Sequence, residues 1–318
     1  MANILVTGCA GFIGSNFVNN YLKKFPKNTV IGLDDFSTGK KENVNKKIIF
    51  YKGSILNKNF LDKIFKKHKI DYLFHFAALP SVSFSIANPY HTSLINTLGT
   101  IHLLEFSHQY KIKRFIFSSS AAVYGNAKNL PIKELASQVK PASTYALQKY
   151  SAENFCQLFS SLYNLDTVCL RYFNVFGPGQ FGNSAYSTVI SAWLEALYFP
   201  NNKKAFIEGN GKQTRDFCYV DDIVNANILA AQSKQKLNGQ VINIASGKKT
   251  SLIEIKNIIE KLTGKKILLE KRPPRVGDIK DSVAEIKLAK KLIKFQSKTS
   301  LERGVEKTIK WFKNRNKF

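Results

Sequence analysis

A glycine-rich turn near the start of the chain constrains the fold more than any other feature. Thr7–Gly14 reads TGCAGFIG; it follows the apolar run Asn3–Val6 and leads into a helical pattern from Ser15 to Lys24. In a strand–turn–helix unit, glycines at 8, 11 and 14 allow a tight turn, a close backbone approach to a pyrophosphate, and close helix packing. Free N–H groups at the helix start favour the phosphates. The turn therefore predicts a dinucleotide site that uses Gly8, Gly11 and Gly14.

An acidic residue follows this turn at the spacing that such a site needs. Asp34 lies 20 residues after Gly14, at the end of a second predicted strand, Thr29–Leu33. A carboxylate there accepts hydrogen bonds from the adenosine ribose and repels a 2′-phosphate. The predicted cofactor is therefore NAD in preference to NADP, although Lys40 and Lys41 nearby soften that repulsion.

Short β-rich runs alternate with helical patterns over the first two thirds of the chain, which indicates βαβ units and a parallel sheet. Further strands are predicted at Ile48–Tyr51, Tyr72–His75, Phe115–Phe117 and Asp166–Leu170, and helices near Asn59–His68, Tyr90–Tyr110 and Thr144–Tyr163. Beyond Gly177, Gly- and Asn-containing loops appear and the tail is rich in lysine. The predicted α/β fold is a Rossmann-type doubly wound parallel sheet over residues 1–176, to which some later segments return. A smaller C-terminal α/β substrate lobe covers 177–318, with a ligand cleft between the two.

A tyrosine and a lysine on one predicted helix are the candidates for chemistry. Tyr145 and Lys149 are four residues apart and therefore share a helix face. A nearby ammonium group lowers the pKa of a tyrosine from about 10, which makes the phenol usable for proton transfer beside hydride transfer. Ser118–Ser120 ends the preceding predicted strand. A serine hydroxyl there is expected to hold the reacting oxygen.

The net charge of +26 raises nucleic acid and anionic membranes as alternative partners. Only 7 of the 48 basic residues are arginine, and the lysines are spread along the whole chain. Proteins that read phosphates and bases usually rely on arginine. We therefore interpret the positive charge as a generally lysine-rich composition with solvent-exposed lysines. Attraction of a diphosphate substrate is the second interpretation. No nucleic-acid or membrane partner is expected.

The remaining bulk features favour a cytoplasmic protein without a metal site. No apolar stretch approaches the roughly 20 residues of a membrane helix, and Met1–Val6 lacks the basic region of a signal peptide. The four cysteines are scattered without a CxxC pair. That pattern argues against a zinc site or a disulfide framework.

Together these motifs resemble those of the extended short-chain dehydrogenases/reductases of the NAD-dependent epimerase/dehydratase family, most closely the UDP-sugar 4-epimerases. The shared motifs are TGxxGFIG, Asp34–Gly39, His75–Ala78, Asn96 in NTLGT, SSSAAVYG at 118–125, YALQK at 145–149, Arg171–Gly177, Arg215–Phe217 and Arg275–Asp278. The resemblance covers essentially the whole chain. It implies NAD as cofactor, a UDP-sugar substrate, a role in polysaccharide biosynthesis, and a homodimer formed by the helices Tyr90–Tyr110 and Thr144–Tyr163.

The resemblance also implies individual roles. Ser120 matches the catalytic hydroxyl, Tyr145 the acid/base and Lys149 its partner. The implied cofactor site comprises Gly8, Gly11, Phe12, Ile13, Gly14, Asp34, Ser54, Ile55, Phe76, Ala77, Asn96, Tyr145, Lys149 and Phe173. The implied substrate site comprises Ser81, Ser120, Asn174, Arg215, Arg275, Asp278 and Ser282. Ser54 stands where the family usually has an aspartate that binds the adenine, so weaker adenine binding is expected.

Two alanines beside Ser120 bear on the choice of reaction. Related dehydratases carry an Asp-Glu pair directly after the catalytic hydroxyl residue and related decarboxylases a Glu, whereas this chain has Ala121 and Ala122. The resemblance therefore implies 4-epimerisation, in which C4 is oxidised transiently and the hydride returns to the opposite face. The small Ser282 at the implied sugar pocket is compatible with UDP-GlcNAc/UDP-GalNAc and with UDP-Glc/UDP-Gal. The alternatives are a UDP-glucuronate 4-epimerase, a decarboxylase, a dehydratase or a non-catalytic NAD-binding protein.

Overall fold

The computed structural model describes residues 1–135, 138–182, 187–201, 204–273 and 280–315. The strands are β1 (Asn3–Thr7), β2 (Thr29–Asp34), β3 (Ile49–Lys52), β4 (Tyr72–His75), β5 (Arg114–Ser120), β6 (Thr167–Tyr172), β7 (Asn174–Phe176), β8 (Phe206–Glu208), β9 (Thr214–Arg215), β10 (Phe217–Tyr219), β11 (Gln240–Ile244), β12 (Thr250–Ser251) and β13 (Glu270–Arg272). The α-helices are α1 (Phe12–Lys24), α2 (Lys58–Lys67), α3 (Val82–Ala87), α4 (Pro89–Ser93), α5 (Gly99–Gln109), α6 (Thr144–Tyr163), α7 (Val189–Tyr198), α8 (Val220–Gln232), α9 (Leu252–Thr263), α10 (Lys287–Ile293) and α11 (Leu301–Arg315). Short 3₁₀ turns lie at Lys41–Asn43 and Ala121–Tyr124.

Seven strands form one parallel sheet in the order β3-β2-β1-β4-β5-β6-β11. The direction of winding reverses at β1, which pairs with β2 on one side and β4 on the other. This is the strand order of a doubly wound dinucleotide-binding fold, with the ligand crevice expected at the reversal. The predicted fold class is therefore confirmed.

The strands are almost continuously apolar because helices cover both faces of the sheet. Successive side chains of one strand point to opposite faces. Along β1, Ile4 and Val6 join the core under α1 and α8, whereas Leu5 joins the core under α2, α5 and α6. The two apolar cores hold the carboxyl ends of the strands in register.

The predicted helix Tyr90–Tyr110 is present but is not one regular α-helix. A π-helical segment, Leu94–Leu98, separates α4 from α5. Asn96 in this segment donates to the Leu79 carbonyl (3.0 Å) and to Oε1 of Gln148 (2.8 Å), and accepts from the Leu79 N–H (2.8 Å). These buried hydrogen bonds link the segment to the loop after β4 and to α6. By contrast, α6 spans the residues that the sequence predicted.

The chain after residue 177 contributes to both lobes. Strand β11 extends the sheet beside β6, and α8 packs against α1. A separate apolar core, which includes Ile190, Trp193 and Phe312, lies among α7, α9 and α11. The boundary between residues 176 and 177 stays a prediction.

Three further features concern the chain as a whole. Within the described ranges, no helix combines the length and apolarity that crossing a bilayer requires. The four cysteines, Cys9, Cys156, Cys169 and Cys218, are buried free thiols. No group of three or more His, Cys, Asp or Glu side chains among the described residues is arranged to bind a metal ion.

Candidate active site

A cavity of about 520 Å³ opens at the carboxyl ends of the sheet strands. Its walls come from the glycine turn after β1, the ends of β4, β5 and β6, and the segment Gly179–Phe181 beyond β7. A smaller recess beside it is lined by Gly8, Asp34, Gly53, Ile55 and Ala77, among others. The volume and the position at the reversal of winding are those of a small-molecule site.

The glycine turn has the geometry that a pyrophosphate site needs. Gly8 has a φ of +70°, and a Cβ on it would lie 2.6 Å from the Ala77 nitrogen. A Cβ on Gly14 would lie 2.0 Å from the Gly8 carbonyl oxygen. Helix α1 begins at Phe12, and no side chain caps its first N–H groups. Side chains are thus excluded, and backbone donors remain for a phosphate group, so these residues fit a dinucleotide.

Asp34 lies at the end of β2 and lines the smaller recess. Its carboxylate accepts from the N–H groups of Ala10 (2.9 Å) and Phe36 (2.8 Å). Burial raises the pKa of Asp34, and these two hydrogen bonds oppose that shift. Asp34 therefore lies at the surface of the recess beside the glycine turn, and its role toward the adenosine ribose stays a prediction.

The three predicted catalytic residues lie together on the wall of the larger cavity. Tyr145 and Lys149 are buried on α6, and Ser120 ends β5. The Lys149 Nζ donates to the Ser118 carbonyl (2.8 Å) and lies 4.7 Å from the centroid of the Phe117 ring. The Ser120 side chain lies near the Tyr145 phenol and acts to lower its pKa. The hydroxyl, the phenol and the ammonium therefore line one wall of the same cavity.

Burial dominates the electrostatics of this group. It raises the pKa of Tyr145 to about 12, against the hydrogen bond from Ser120, and lowers the pKa of Lys149 to about 8, against the charge of Glu153. The prediction that Lys149 lowers the pKa of Tyr145 is therefore wrong for the protein alone. The physical reason is that the ammonium donates to the Ser118 carbonyl and both groups lose water.

Most of the predicted ligand-binding residues line one of the two cavities. The larger cavity is lined by Gly8, Gly11, Phe12, Ile13, Gly14, Phe76, Phe173 and Asn174 together with the three catalytic candidates. The smaller recess is lined by Gly8, Asp34, Ile55 and Ala77. The structure therefore brings the implied cofactor site and part of the implied substrate site together.

Three other predicted residues lie just behind these walls. Asn96 is fully engaged in the π-helical segment described above. The Ser54 hydroxyl accepts from the Leu56 N–H (3.2 Å), and the Ser81 hydroxyl caps α3 by accepting from the Phe84 N–H (3.0 Å). Their roles toward ligands stay predictions.

Two further substrate candidates, Arg215 and Ser282, lie at β9. Arg215 lies on β9, and the N–H of Ser282 donates to the Thr214 carbonyl (3.1 Å). Neither residue lines the two cavities. Arg275 and Asp278 lie outside the described residues. The sugar and diphosphate roles of these four residues stay predictions.

Several cavity residues were not singled out from the sequence. Tyr172, Gln180, Phe181 and Thr188 line the larger cavity. Lys40 also lines it, with its Nζ 3.4 Å from the centroid of the Phe181 ring. Period-2 alternation in β6 could have indicated Tyr172, whereas Gln180, Phe181 and Thr188 reach the cavity from the chain beyond β7.

A Ser–Tyr–Lys group facing a dinucleotide cavity in a doubly wound sheet defines a short-chain dehydrogenase-type enzyme. The family model described as the NAD dependent epimerase/dehydratase family matches residues 4–245, and the chain belongs to this family.

Full-length relatives agree with this assignment. The chain is 33% identical to the UDP-glucose 4-epimerase of Mycolicibacterium smegmatis, over 98% of this chain and 99% of the relative. It is similar to the solved UDP-N-acetylglucosamine 4-epimerase of Methanobrevibacter ruminantium in complex with UDP-N-acetylmuramic acid, with a TM-score of 0.91, 38% identity and 99% coverage of both chains. The UDP-glucose 4-epimerase of Thermotoga maritima with UDP-glucose also has a TM-score of 0.91, at 35% identity and 99% coverage of both chains. The predicted family, the isomerase class and NAD as cofactor are confirmed.

Proposed function

We propose that this enzyme inverts C4 of a UDP-linked hexose or N-acetylhexosamine by removing the C4 hydride and returning it to the other face of the sugar. The substrate pairs proposed are UDP-GlcNAc/UDP-GalNAc and UDP-Glc/UDP-Gal. The relatives named above carry both kinds of substrate in their names.

The chemistry of the cavity wall carries the proposal. Among the described residues that line the larger cavity, the titratable side chains are Lys40, Tyr145, Lys149 and Tyr172, with no carboxylate, histidine or cysteine. Ala122 lines the wall where the related dehydratases carry an acidic pair. Dehydration needs an acid and a base at C5 and C6 of the sugar. This wall offers no carboxylic acid and base pair for these two steps, so return of the hydride is the outcome that it favours.

The three catalytic side chains have distinct tasks. NAD, when bound, supplies a cationic nicotinamide that accepts the C4 hydride and gives it back. Tyr145 takes the 4-hydroxyl proton and later returns it to the same oxygen. Ser120 holds that oxygen through its hydroxyl. Lys149 contributes positive charge to this wall, and the added charge of a bound nicotinamide would lower the pKa of Tyr145 from its value in the protein alone.

A homodimer is part of the same proposal. Leu147, Leu158 and Leu162 are 55%, 48% and 68% exposed on α6. Their spacing of 11 and 4 residues places them on one helix face. Leu98, between α4 and α5, is 38% exposed. This apolar surface belongs to the two helical regions implied by the resemblance.

The test is turnover of UDP-GlcNAc, UDP-Glc and UDP-glucuronate, each incubated separately with purified protein without a reductant and followed by NMR. We expect a C4 epimer from at least one of the first two, and its formation to be far slower with the Tyr145→Phe variant. A 4-keto-6-deoxy product would contradict the argument from Ala121 and Ala122. Epimerisation of UDP-glucuronate alone would replace the proposed substrate class.

A further inference from the structure

A buried carboxylate lies one helical turn beyond Lys149. Glu153 follows Lys149 by four residues on α6 and is 1% exposed. Its carboxylate accepts two hydrogen bonds from Arg171, from Nε to Oε1 (2.8 Å) and from Nη2 to Oε2 (2.6 Å). Oε1 also accepts from the Ser119 hydroxyl. Glu153 therefore contacts both neighbouring strands, β5 and β6, from the helix above them.

Through these strand contacts, the Glu153 carboxylate is bonded to residues next to the catalytic group. Ser119 is the register partner of Arg171 across β5 and β6. Ser118, one residue earlier, provides the carbonyl that holds the Lys149 ammonium. Ser120, one residue later, provides the hydroxyl near the Tyr145 phenol. Fixing the Ser119 side chain therefore fixes the backbone between the two groups that hold the acid/base pair.

Stability alone gives little reason for an ion pair here. A buried Arg–carboxylate pair stabilises a fold weakly, because desolvation offsets the attraction, and apolar replacements of similar volume are often as stable. The same burial acts on Lys149, whose ammonium has lost its water. A negative charge nearby therefore stabilises the protonated form of Lys149.

The other titratable groups around Lys149 do not supply that charge. His75 on β4 is buried and neutral, since burial and the Lys149 charge hold its pKa well below the usual value. Burial raises the pKa of Cys169 and Tyr172 on β6 and of Tyr145 on α6, so all three are uncharged at neutral pH. Cys156 on α6 is a buried free thiol. Arg171 on β6 is a cation.

We propose that Glu153, oriented by Arg171, is a positioning residue that keeps Lys149 charged and holds the Ser118–Ser120 segment for proton transfer by Tyr145. The proposal deepens the epimerase proposal and rests on it for the identity of the reaction. Its electrostatic half concerns the protein alone, because the charge on Lys149 can be measured without turnover.

The direct test is the titration of Lys149 by NMR in protein labelled with ¹³C at the lysine Cε, with the signal assigned by its loss in Lys149→Met. We expect Glu153→Gln to move this titration to lower pH by roughly one pH unit, as for loss of an adjacent opposite charge. Asp166→Asn is the matched control, since Asp166 is paired with Arg114 in an equally buried site near the other edge of the sheet. It is expected to leave the Lys149 titration unchanged.

A kinetic measurement separates positioning from folding. In Glu153→Gln the alkaline limb of the kcat–pH profile should also move to lower pH. We therefore expect kcat to be about fivefold lower than in wild type at pH 8 and nearly equal to it at pH 6.5. Glu153→Asp, which keeps the charge, should restore most of the limb. If wild type turns over none of the sugars, the epimerase proposal fails, but the NMR titration still decides the electrostatic half.

A second variant covers failure of Glu153→Gln to fold. The double replacement Glu153→Met with Arg171→Met removes the pair without leaving an uncompensated charge. It should move the Lys149 titration in the same direction. An unchanged Lys149 titration in the folded single or double variant, or an equal movement in Asp166→Asn, would overturn the proposal.

Discussion

Two buried arginine–carboxylate pairs lie at opposite ends of the neighbouring strands β5 and β6. We call the side of the sheet where the strands begin the amino edge, and the side where they end the carboxyl edge. Arg114 begins β5 and pairs with Asp166 just before β6, through Nε and Oδ2 at 2.7 Å. Arg171 near the carboxyl end of β6 pairs with Glu153 on α6. Both pairs are almost completely buried. Their chemistry is the same, but their neighbours differ.

The pair at the amino edge is surrounded by backbone. Arg114 donates to the carbonyls of Ser233 (3.1 Å) and Gln235 (2.8 Å) just after α8, and Asp166 accepts from the N–H groups of Leu237 (2.8 Å) and Asn238 (3.0 Å). The pair thus connects the end of α8 to the sheet. The pair at the carboxyl edge instead adjoins Ser119 and Lys149. We infer that the amino-edge pair serves the fold and the carboxyl-edge pair serves the chemistry, as ligand sites in such sheets lie at the carboxyl ends.

The largest effect should come from the carboxyl edge. Tyr145→Phe removes the proton-transfer group, and we expect epimerisation to fall by about 10²–10⁴-fold without loss of thermal stability. Tyr110→Phe, which removes a hydroxyl bonded to Asp62 on the outside of the protein, is the control. Full activity of Tyr145→Phe would show that another group transfers the proton.

The next effect should come from the amino edge and concern stability alone. Asp166→Asn leaves the Arg114 charge buried without its carboxylate, which typically costs about 3–5 kcal/mol. Urea denaturation should show that loss in the free energy of unfolding, while kcat per folded molecule stays at the wild-type value. A fall in kcat comparable to that of Glu153→Gln would erase the distinction between the two edges.

A third effect concerns the cofactor at the same carboxyl edge. Asp34→Asn removes the charge that is predicted to bind the adenosine ribose. We expect the Kd for NAD, measured by calorimetry, to rise roughly 10- to 100-fold, corresponding to loss of charge-assisted hydrogen bonds. The Kd for NADP should rise less, because its 2′-phosphate no longer meets a carboxylate. Equal changes for both cofactors would place the ribose elsewhere.

A fourth effect concerns His75, a buried group near the site that has no part in the proposed proton transfer. The two ring nitrogens of His75 are hydrogen-bonded to threonine hydroxyls, Nδ1 to Thr7 (2.8 Å) and Nε2 to Thr100 (2.9 Å). Burial holds the pKa of His75 well below its usual value. Below pH about 6.5 the unfolded chain binds a proton at His75, whereas the folded chain does not. The free energy of unfolding therefore decreases as the pH is lowered, by at most about 1.4 kcal/mol per pH unit. Urea titrations at pH 7.5 and 5.5 should show a larger decline for wild type than for His75→Gln. Equal declines would mean that His75 is protonated in the folded state.

The smallest effect should come from Ser54. Ser54→Asp restores the carboxylate that relatives are expected to use toward adenine. We expect the Kd for NAD to fall by less than about tenfold, which corresponds to the roughly 0.5–1.5 kcal/mol net contribution of a typical hydrogen bond. An unchanged Kd would mean that Ser54 does not limit adenine binding.

Features set by local sequence were predictable. The glycine turn, the alternation of strands and helices, and the shared helix face of Tyr145 and Lys149 depend on spacings of a few residues, and the structure has all of them. Glu153 continues that face by one more turn, so the i, i+4 pattern could have indicated it. Its pairing with Arg171 could not be inferred, because β6 and α6 meet only in the folded chain.

Other features depend on distant contacts or on solvent exclusion. Strand β11 joins the sheet beside β6, which lies some 70 residues earlier in the chain. No local sequence pattern predicts that pairing. The hydrogen bonds that hold Asn96 and the π-helical segment likewise depend on Leu79 and Gln148. The pKa of Tyr145 was predicted in the wrong direction because the sequence shows the lysine nearby but not the burial of both groups.

The central claim is that one hydride leaves C4 and returns to it. The most direct test is turnover of UDP-GlcNAc or UDP-Glc carrying deuterium at C4, in ordinary water, with the product examined by NMR. We expect a C4 epimer that keeps its deuterium at C4. Loss of the deuterium to solvent, or its appearance at C6 of a 4-keto-6-deoxy sugar, would contradict it.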